Sequence, residues 1–225
     1  MNSQRLHIVK EEVSEHLKFT VISVLLCLTV ILIVNKYVHG YMNETTFSSI
    51  HYVHLFLATI TPVAIYYAFN PDVVRAIGVG ILSSSIGCTV SDSVFPYIGG
   101  HLFGYDMTLH ICILEEPHFA WAAIFIGAFA GIFLPRLFKK ITHVTHFVHT
   151  FAATSAAIVY LLTFGFTGSD AVQIIYLIII LFISVLVPCL LSDIVIPSLV
   201  FSESSFNEIM EHHHGHSHSH SHNHD

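Results

Sequence analysis

Charge is what this chain most lacks. Asp, Glu, Lys and Arg make up only 10% of its 225 residues, against about 25% in an average soluble domain. That scarcity excludes an ordinary soluble globular domain. Basic residues are rarer than acidic ones: eight Lys and Arg stand against 15 Asp and Glu, a formal net charge of -7. Phosphate backbones are held by clustered Lys and Arg, so a nucleic-acid partner is excluded. Of the four cysteines, Cys27, Cys88, Cys112 and Cys189, three fall inside apolar runs, and no disulfide framework is expected. A Walker A motif and a soluble ATPase domain are both lacking. Any work done by the chain is then coupled to protons, to the membrane potential or to a separate subunit. No small-x-small cleavage site follows the first apolar run, which is expected to remain as a span.

What is there is apolar: 54% of the chain is hydrophobic. Roughly 20 apolar residues cross a bilayer as a helix, and six runs reach that length, at about 18–38, 48–69, 72–97, 117–138, 143–165 and 171–200. The expected fold is an all-α integral membrane protein of six transmembrane helices. Arg5, Lys10, Lys18, Arg75, Arg136, Lys139 and Lys140 fall on one side of such a topology, and only Lys36 on the other. The positive-inside rule then puts both termini in the cytoplasm, in a plasma (inner) membrane.

A repeat runs through these spans. "HYVHLFLAT" (51–59) matches "HFVHTFAAT" (146–154), and "CTVSDSVFP" (88–96) matches "CLLSDIVIP" (189–197). The order is the same in both halves, which points to duplication of a three-helix unit. An odd number of spans inserts the second copy upside down, so the two units are expected as inverted repeats, a plan common among secondary transporters. The organisation expected is a cytoplasmic N-terminus (1–17), a first membrane repeat (18–100), an extracytoplasmic loop (101–116), a second membrane repeat (117–201) and a cytoplasmic tail (202–225).

The repeated residues are costly ones for lipid. A charge in the bilayer core costs about 2.5–3.5 kcal/mol on insertion scales, so Asp92 and Asp193 need a partner or a cavity. Each precedes a proline by four positions, Pro96 and Pro197, and each follows a serine, Ser91 and Ser192. Proline lacks an N–H, so a kink with a freed carbonyl is expected at both sites. Imidazole, thiolate and carboxylate together suit Zn²⁺, Ni²⁺ or Co²⁺ better than Mg²⁺ or Ca²⁺. Two related metal sites are therefore expected. The outer one comprises His51, His54, Asp92 and Cys88; the inner one His146, His149, Asp193 and Cys189. The plainer alternative makes the histidines interfacial anchors and the cysteines small hydrophobes.

Two further segments carry ligand-type residues. The loop after the third run holds His101, Asp106, His110, Cys112, Glu115, Glu116 and His118 without a Lys or Arg, and is expected to attract a cation. The chain ends "HHHGHSHSHSHNHD", with His212, His213, His214, His216, His218, His220, His222 and His224. Such a composition builds no core and is expected to be a disordered, loosely metal-binding tail. It resembles the histidine-rich segments of zinc and nickel/cobalt transporters, a resemblance of composition confined to the tail.

The expectation for the whole is a secondary carrier or permease for a divalent transition metal, zinc foremost, with metal ions and the lipid bilayer as partners and a homodimer compatible with the pattern. The alternative is a membrane-embedded zinc-dependent lipid hydrolase. The body broadly resembles multi-span ceramidase-type hydrolases, but their seven-span plan is not matched and an active site has no need of a second copy. A haem cytochrome ranks last, because its axial histidines would pair across helices, whereas these come as i, i+3 pairs accompanied by acids.

Overall fold

The computed structural model describes residues 3–37, 42–133, 142–167 and 170–190. Among these the chain is all-helical, without strands. The helices are α1 (Ser3–Tyr37), α2 (Glu44–Phe69), α3 (Val73–Thr89), α4 (Phe95–Leu102), the one-turn α5 (Cys112–Glu115), α6 (Pro117–Phe133), α7 (Thr142–Phe164) and α8 (Ala171–Leu190). A π-helical turn, Val90–Val94, joins α3 and α4 into one rod. Four helical segments are long and apolar enough to cross a membrane: Glu44–Ala68, Val73–Leu102, His146–Phe164 and Ala171–Leu190. The two other expected spans contain shorter apolar helical segments, His16–Ile31 and Pro117–Phe133. The membrane character rests on these lengths and compositions.

Local chemistry sets the boundaries. Asn43 caps α2 by accepting from the Thr46 N–H at 3.0 Å, and Asp72 caps α3 by accepting from the Arg75 N–H at 3.1 Å. Each satisfies one of the donors that a helix start leaves open. Pro117 opens α6, where its missing N–H costs nothing. Gly165 ends α7 at φ +142, pressed so closely on the Asp106 carbonyl that a Cβ would collide with it.

Helix α1 is inside-out by the standards of a soluble helix. His16, Thr20, Ser23 and Cys27 are buried, whereas Leu17, Val21, Ile22, Leu25 and Leu26 are exposed. Val172, Ile175, Ile179, Ile183 and Val187 line an exposed stripe along α8. Apolar surface on this scale needs a lipid environment rather than water. Lipid gives helices no hydrophobic reason to associate, so close packing has to hold them. Gly127 and Gly131 of α6 supply it: a Cβ there would meet the backbone oxygens of Phe56 and Ile60 on α2 at 2.7 and 2.8 Å.

Helix α2 is central, packed on α3, α6 and α7. Around it the pairing is reciprocal: α6 packs on α2 and α3, and α1 packs on α7 and α8. The loop after α4 folds back on the end of α7. The Thr108 N–H donates to the Phe164 carbonyl at 2.8 Å, and the Tyr160 hydroxyl donates to the Thr108 carbonyl at 2.8 Å.

Candidate metal centre

The first repeated motif lies on α2, and helical spacing turns His51 and His54 to one face. Both are buried, and both aim Nδ1 at the same oxygen of Asp92, at 2.8 Å from His51 and 2.6 Å from His54. Asp92 is fully buried in the π turn, where the Phe95 N–H reaches back to the Val90 carbonyl. The departure from α geometry expected before Pro96 takes this form. The wider turn carries Asp92 toward α2 while leaving the rod unbroken, and π turns of this kind gather at functional sites. The Ser91 hydroxyl donates to the other carboxylate oxygen.

This geometry fixes the histidine tautomers. An ionised carboxylate only accepts hydrogen bonds, so each Nδ1 carries the proton. A neutral imidazole with its proton on Nδ1 keeps a lone pair on Nε2. On metal-binding histidines, a carboxylate at the second ring nitrogen orients the ring and raises its basicity. Asp92 had been expected to ligate beside the histidines. Its oxygens are instead taken up by two imidazole donors and a hydroxyl, which also offset the cost of burying its charge.

The Nε2 of His54 points to the Sγ of Cys88 at 3.8 Å. Both line a small cavity of about 10 Å³ with His149 of α7, Cys189 of α8, Ser83, Ala58, Gly87, Ser91 and Pro188. One water-sized body needs about that volume. The rings of His54 and His149 lie 4.9 Å apart. Residues expected at two separate half-sites thus face one space: His54 and Cys88 from the first half, His149 and Cys189 from the second. The Ser83 hydroxyl is buried without a hydrogen-bond partner among the described residues.

The remaining expected ligands are distributed differently. His146 turns to α1, its Nε2 2.8 Å from the Nε2 of His16, with the rings edge-to-face. Asp193, Ser192, Pro197 and the eight tail histidines lie outside the described residues. In the loop, His110, Cys112 and Glu115 come together: His110 Nδ1 is 2.8 Å from Glu115 Oε2, and its Nε2 is 3.6 Å from Cys112 Sγ. Burial pushes the Cys112 thiol up to about 12, so it remains protonated at neutral pH. Glu116 instead accepts from the Tyr52 hydroxyl, which holds its carboxyl below the ordinary range. His101 is exposed, its ring edge-on to Tyr97, and His118 is exposed at the start of α6.

Sequence reasoning missed three contributors. Ser83 sits in a run of three serines with nothing to single it out. His16 was assigned to a cytoplasmic terminus, although its four-residue spacing from Thr20 places both on the inward stripe of α1. Glu44 follows a capping asparagine and reads as an ordinary first-turn acid, yet it reaches His110. No family model, curated protein or solved structure matches the chain.

Proposed function

We propose that the chain carries a divalent transition metal across a membrane, with zinc as its first substrate. One observation carries this reading: a cavity of about 10 Å³ is lined by two imidazoles and two thiols drawn from both halves of the repeat, with the unpartnered Ser83 hydroxyl beside them. Two His and two Cys form a common tetrahedral set for Zn²⁺. In this reading His54 offers Nε2, held in that tautomer by Asp92, and His149, Cys88 and Cys189 complete the shell. Asp92 and His51 position and do not ligate. The Ser83 hydroxyl assists a water during exchange.

The six-span inverted repeat belongs to the same proposal. The reciprocal packing of α6 on α2 and α3, and of α1 on α7 and α8, supports it, since exchanging the halves turns one set of contacts into the other. A pseudo-twofold axis in the membrane plane then passes near His54 and His149, and a single ion on that axis can be offered to either side. In this topology both termini are cytoplasmic and the 101–116 loop is extracytoplasmic. The tail histidines form a loose reservoir on the cytoplasmic side, and coupling is to protons or to the membrane potential.

Lipid hydrolysis fits less well. The cavity at the ligands holds a water-sized body, not an ester or amide with its chains. The roomier crevice between α1, α2 and α7, of about 740 Å³, is lined by residues such as Val30, Ile31, Phe151 and Val159, and among the described residues its lining includes no His, Asp or Glu.

The test is uptake of Zn²⁺, Ni²⁺, Co²⁺ and Mn²⁺ into proteoliposomes holding the purified chain. Saturable zinc uptake that falls at least about 100-fold in the Cys88→Ser/Cys189→Ser variant is expected, on the order of the loss of two ligands. Uptake unchanged in that variant, or no uptake of any of these metals, overturns the proposal.

A further inference from the structure

His110 is a buried side chain, 3% exposed, directly after the exposed Thr108 and Leu109. Its ring is held on two sides, stacked on Phe164 at 4.9 Å and edge-on to Phe47 at 5.8 Å. Its backbone N–H donates to the Tyr160 hydroxyl at 3.3 Å. Two carboxylates from different elements meet one atom of this fixed ring. Glu115 Oε2 of α5 lies 2.8 Å from Nδ1, and Glu44 Oε1 of α2 lies 3.6 Å from it. One Nδ1–H serves one acceptor well, so the second carboxylate brings like charge to the same nitrogen. A cation relieves that arrangement.

We propose that Glu44, His110 and Glu115 form a second divalent-metal site, separate from the buried centre and built of one imidazole nitrogen and two carboxylate oxygens. The three ligand atoms lie within 4.8 Å of one another. Ligand atoms held about 2.1 Å from a shared ion stand roughly 3.0–3.4 Å apart; the separations of 2.8 and 3.6 Å bracket that range. The Nδ1 lone pair goes to the metal, and the imidazole proton sits on Nε2, from which it donates to Cys112 Sγ at 3.6 Å. Both carboxylates come from exposed side chains, so water fills the remaining positions and the ion exchanges readily. One nitrogen and two oxygens make a harder set than two His and two Cys, suiting Zn²⁺, Co²⁺ and Mn²⁺. The Phe47 ring lies between the two centres, 5.8 Å from His110 and 5.6 Å from His51. A bound ion here ties the loop to the start of α2.

The site stands whether or not the chain transports metal, and hydrogen exchange reads it without any flux. The full-length protein in detergent is compared with and without ZnCl₂. Zinc is expected to slow amide exchange in residues 108–116 and at the start of α2. Glu44→Gln and Glu115→Gln should each raise the zinc concentration needed by at least about 100-fold, because losing even an outer partner of a ligand costs 10–100-fold. Glu116→Gln, a neighbouring carboxylate outside the triad, and Cys88→Ser/Cys189→Ser should keep the protection. No slowing in the unaltered protein overturns the proposal, as does equal slowing in Glu44→Gln and Glu115→Gln. Loss of protection in the Cys88→Ser/Cys189→Ser variant assigns the effect to the buried centre and also overturns it.

Discussion

The two histidine pairs are near copies in sequence and unlike in surroundings. On α2, His51 and His54 share one carboxylate oxygen and are only 1% and 2% exposed. On α7, His146 faces the ring of His16 while His149 faces His54. The motif sets which face of its helix each imidazole occupies, and the neighbouring helix sets its chemistry. Beside α2 the neighbour is the π turn with Asp92; beside the start of α7 it is α1. Only the second histidine of each pair meets its counterpart, which is what a twofold axis near that point would do. On the proposed axis, the first histidine of each pair would lie off the centre, where the two halves can differ.

The largest expected effect breaks the first half alone. Asp92→Asn keeps the shape but replaces one of two acceptor oxygens with a donating NH₂, so either both imidazole N–H groups or the Ser91 hydroxyl lose their acceptor. Hydrogen bonds to a charged group are worth about 1.5–3 kcal/mol each. The variant is expected to lower the unfolding temperature in detergent clearly and to weaken zinc binding at least about 100-fold. His146→Gln removes a neutral contact with His16, whose typical worth is about 1 kcal/mol. If thermal unfolding finds the two variants equally stable, the asymmetry between the halves has no energetic weight. Asp193→Asn tests the sequence symmetry directly, and a loss of zinc binding matching that of Asp92→Asn is expected.

Next comes the shared cavity. His54→Gln and His149→Gln should each weaken zinc binding by about the same factor, and the double variant by much less than the product. Groups that hold one ion couple by about 0.5–3 kcal/mol, whereas independent sites add. Isothermal titration of the four proteins measures the coupling. Strict additivity would restore the picture of two separate sites, one for each half. His51→Gln belongs below these: His51 orients through Asp92 and lends no ligand atom, so a loss of about tenfold is expected, near the low end for an outer partner.

Much of this was legible in the sequence because membranes make polar residues conspicuous. Two histidines, an aspartate and a cysteine inside apolar runs had to mean something, and their period put them on the right helix faces. The all-helical class followed from run length alone. What the sequence could not carry was distance across the chain. Asp92 attracts attention as a ligand, and nothing in the sequence says that two imidazoles turn toward one of its oxygens. Glu44 and His110 lie in different elements, and nothing local links them. Nor does spacing say that residues on α2, α3, α7 and α8 face one cavity rather than two, because that depends on how helix pairs cross.

The smallest expected effect sharpens the comparison at one atom. The motifs differ at their second residue, Tyr52 against Phe147, and the Tyr52 hydroxyl donates to Glu116. That bond, followed in size by the opposing effect of burial, leaves the Glu116 carboxyl below its ordinary value. A carboxylate with a lowered folded value contributes stability that is fully present above its unfolded value, about 4.3. The contribution is lost as pH falls through the lowered folded value. Tyr52→Phe makes the first motif resemble the second and removes the donor. At pH 7 the cost should be about 1 kcal/mol, or roughly 2–4 °C in unfolding temperature for a chain of this size. As pH falls below about 4, the unaltered protein should lose more stability than Tyr52→Phe, and the two curves should converge. Glu116→Gln should flatten the same limb without touching either histidine pair. Melting curves in detergent from pH 3 to 7 decide it: parallel acid limbs in all three proteins would mean that Tyr52 and Phe147 are interchangeable and that this position does not set the two motifs apart.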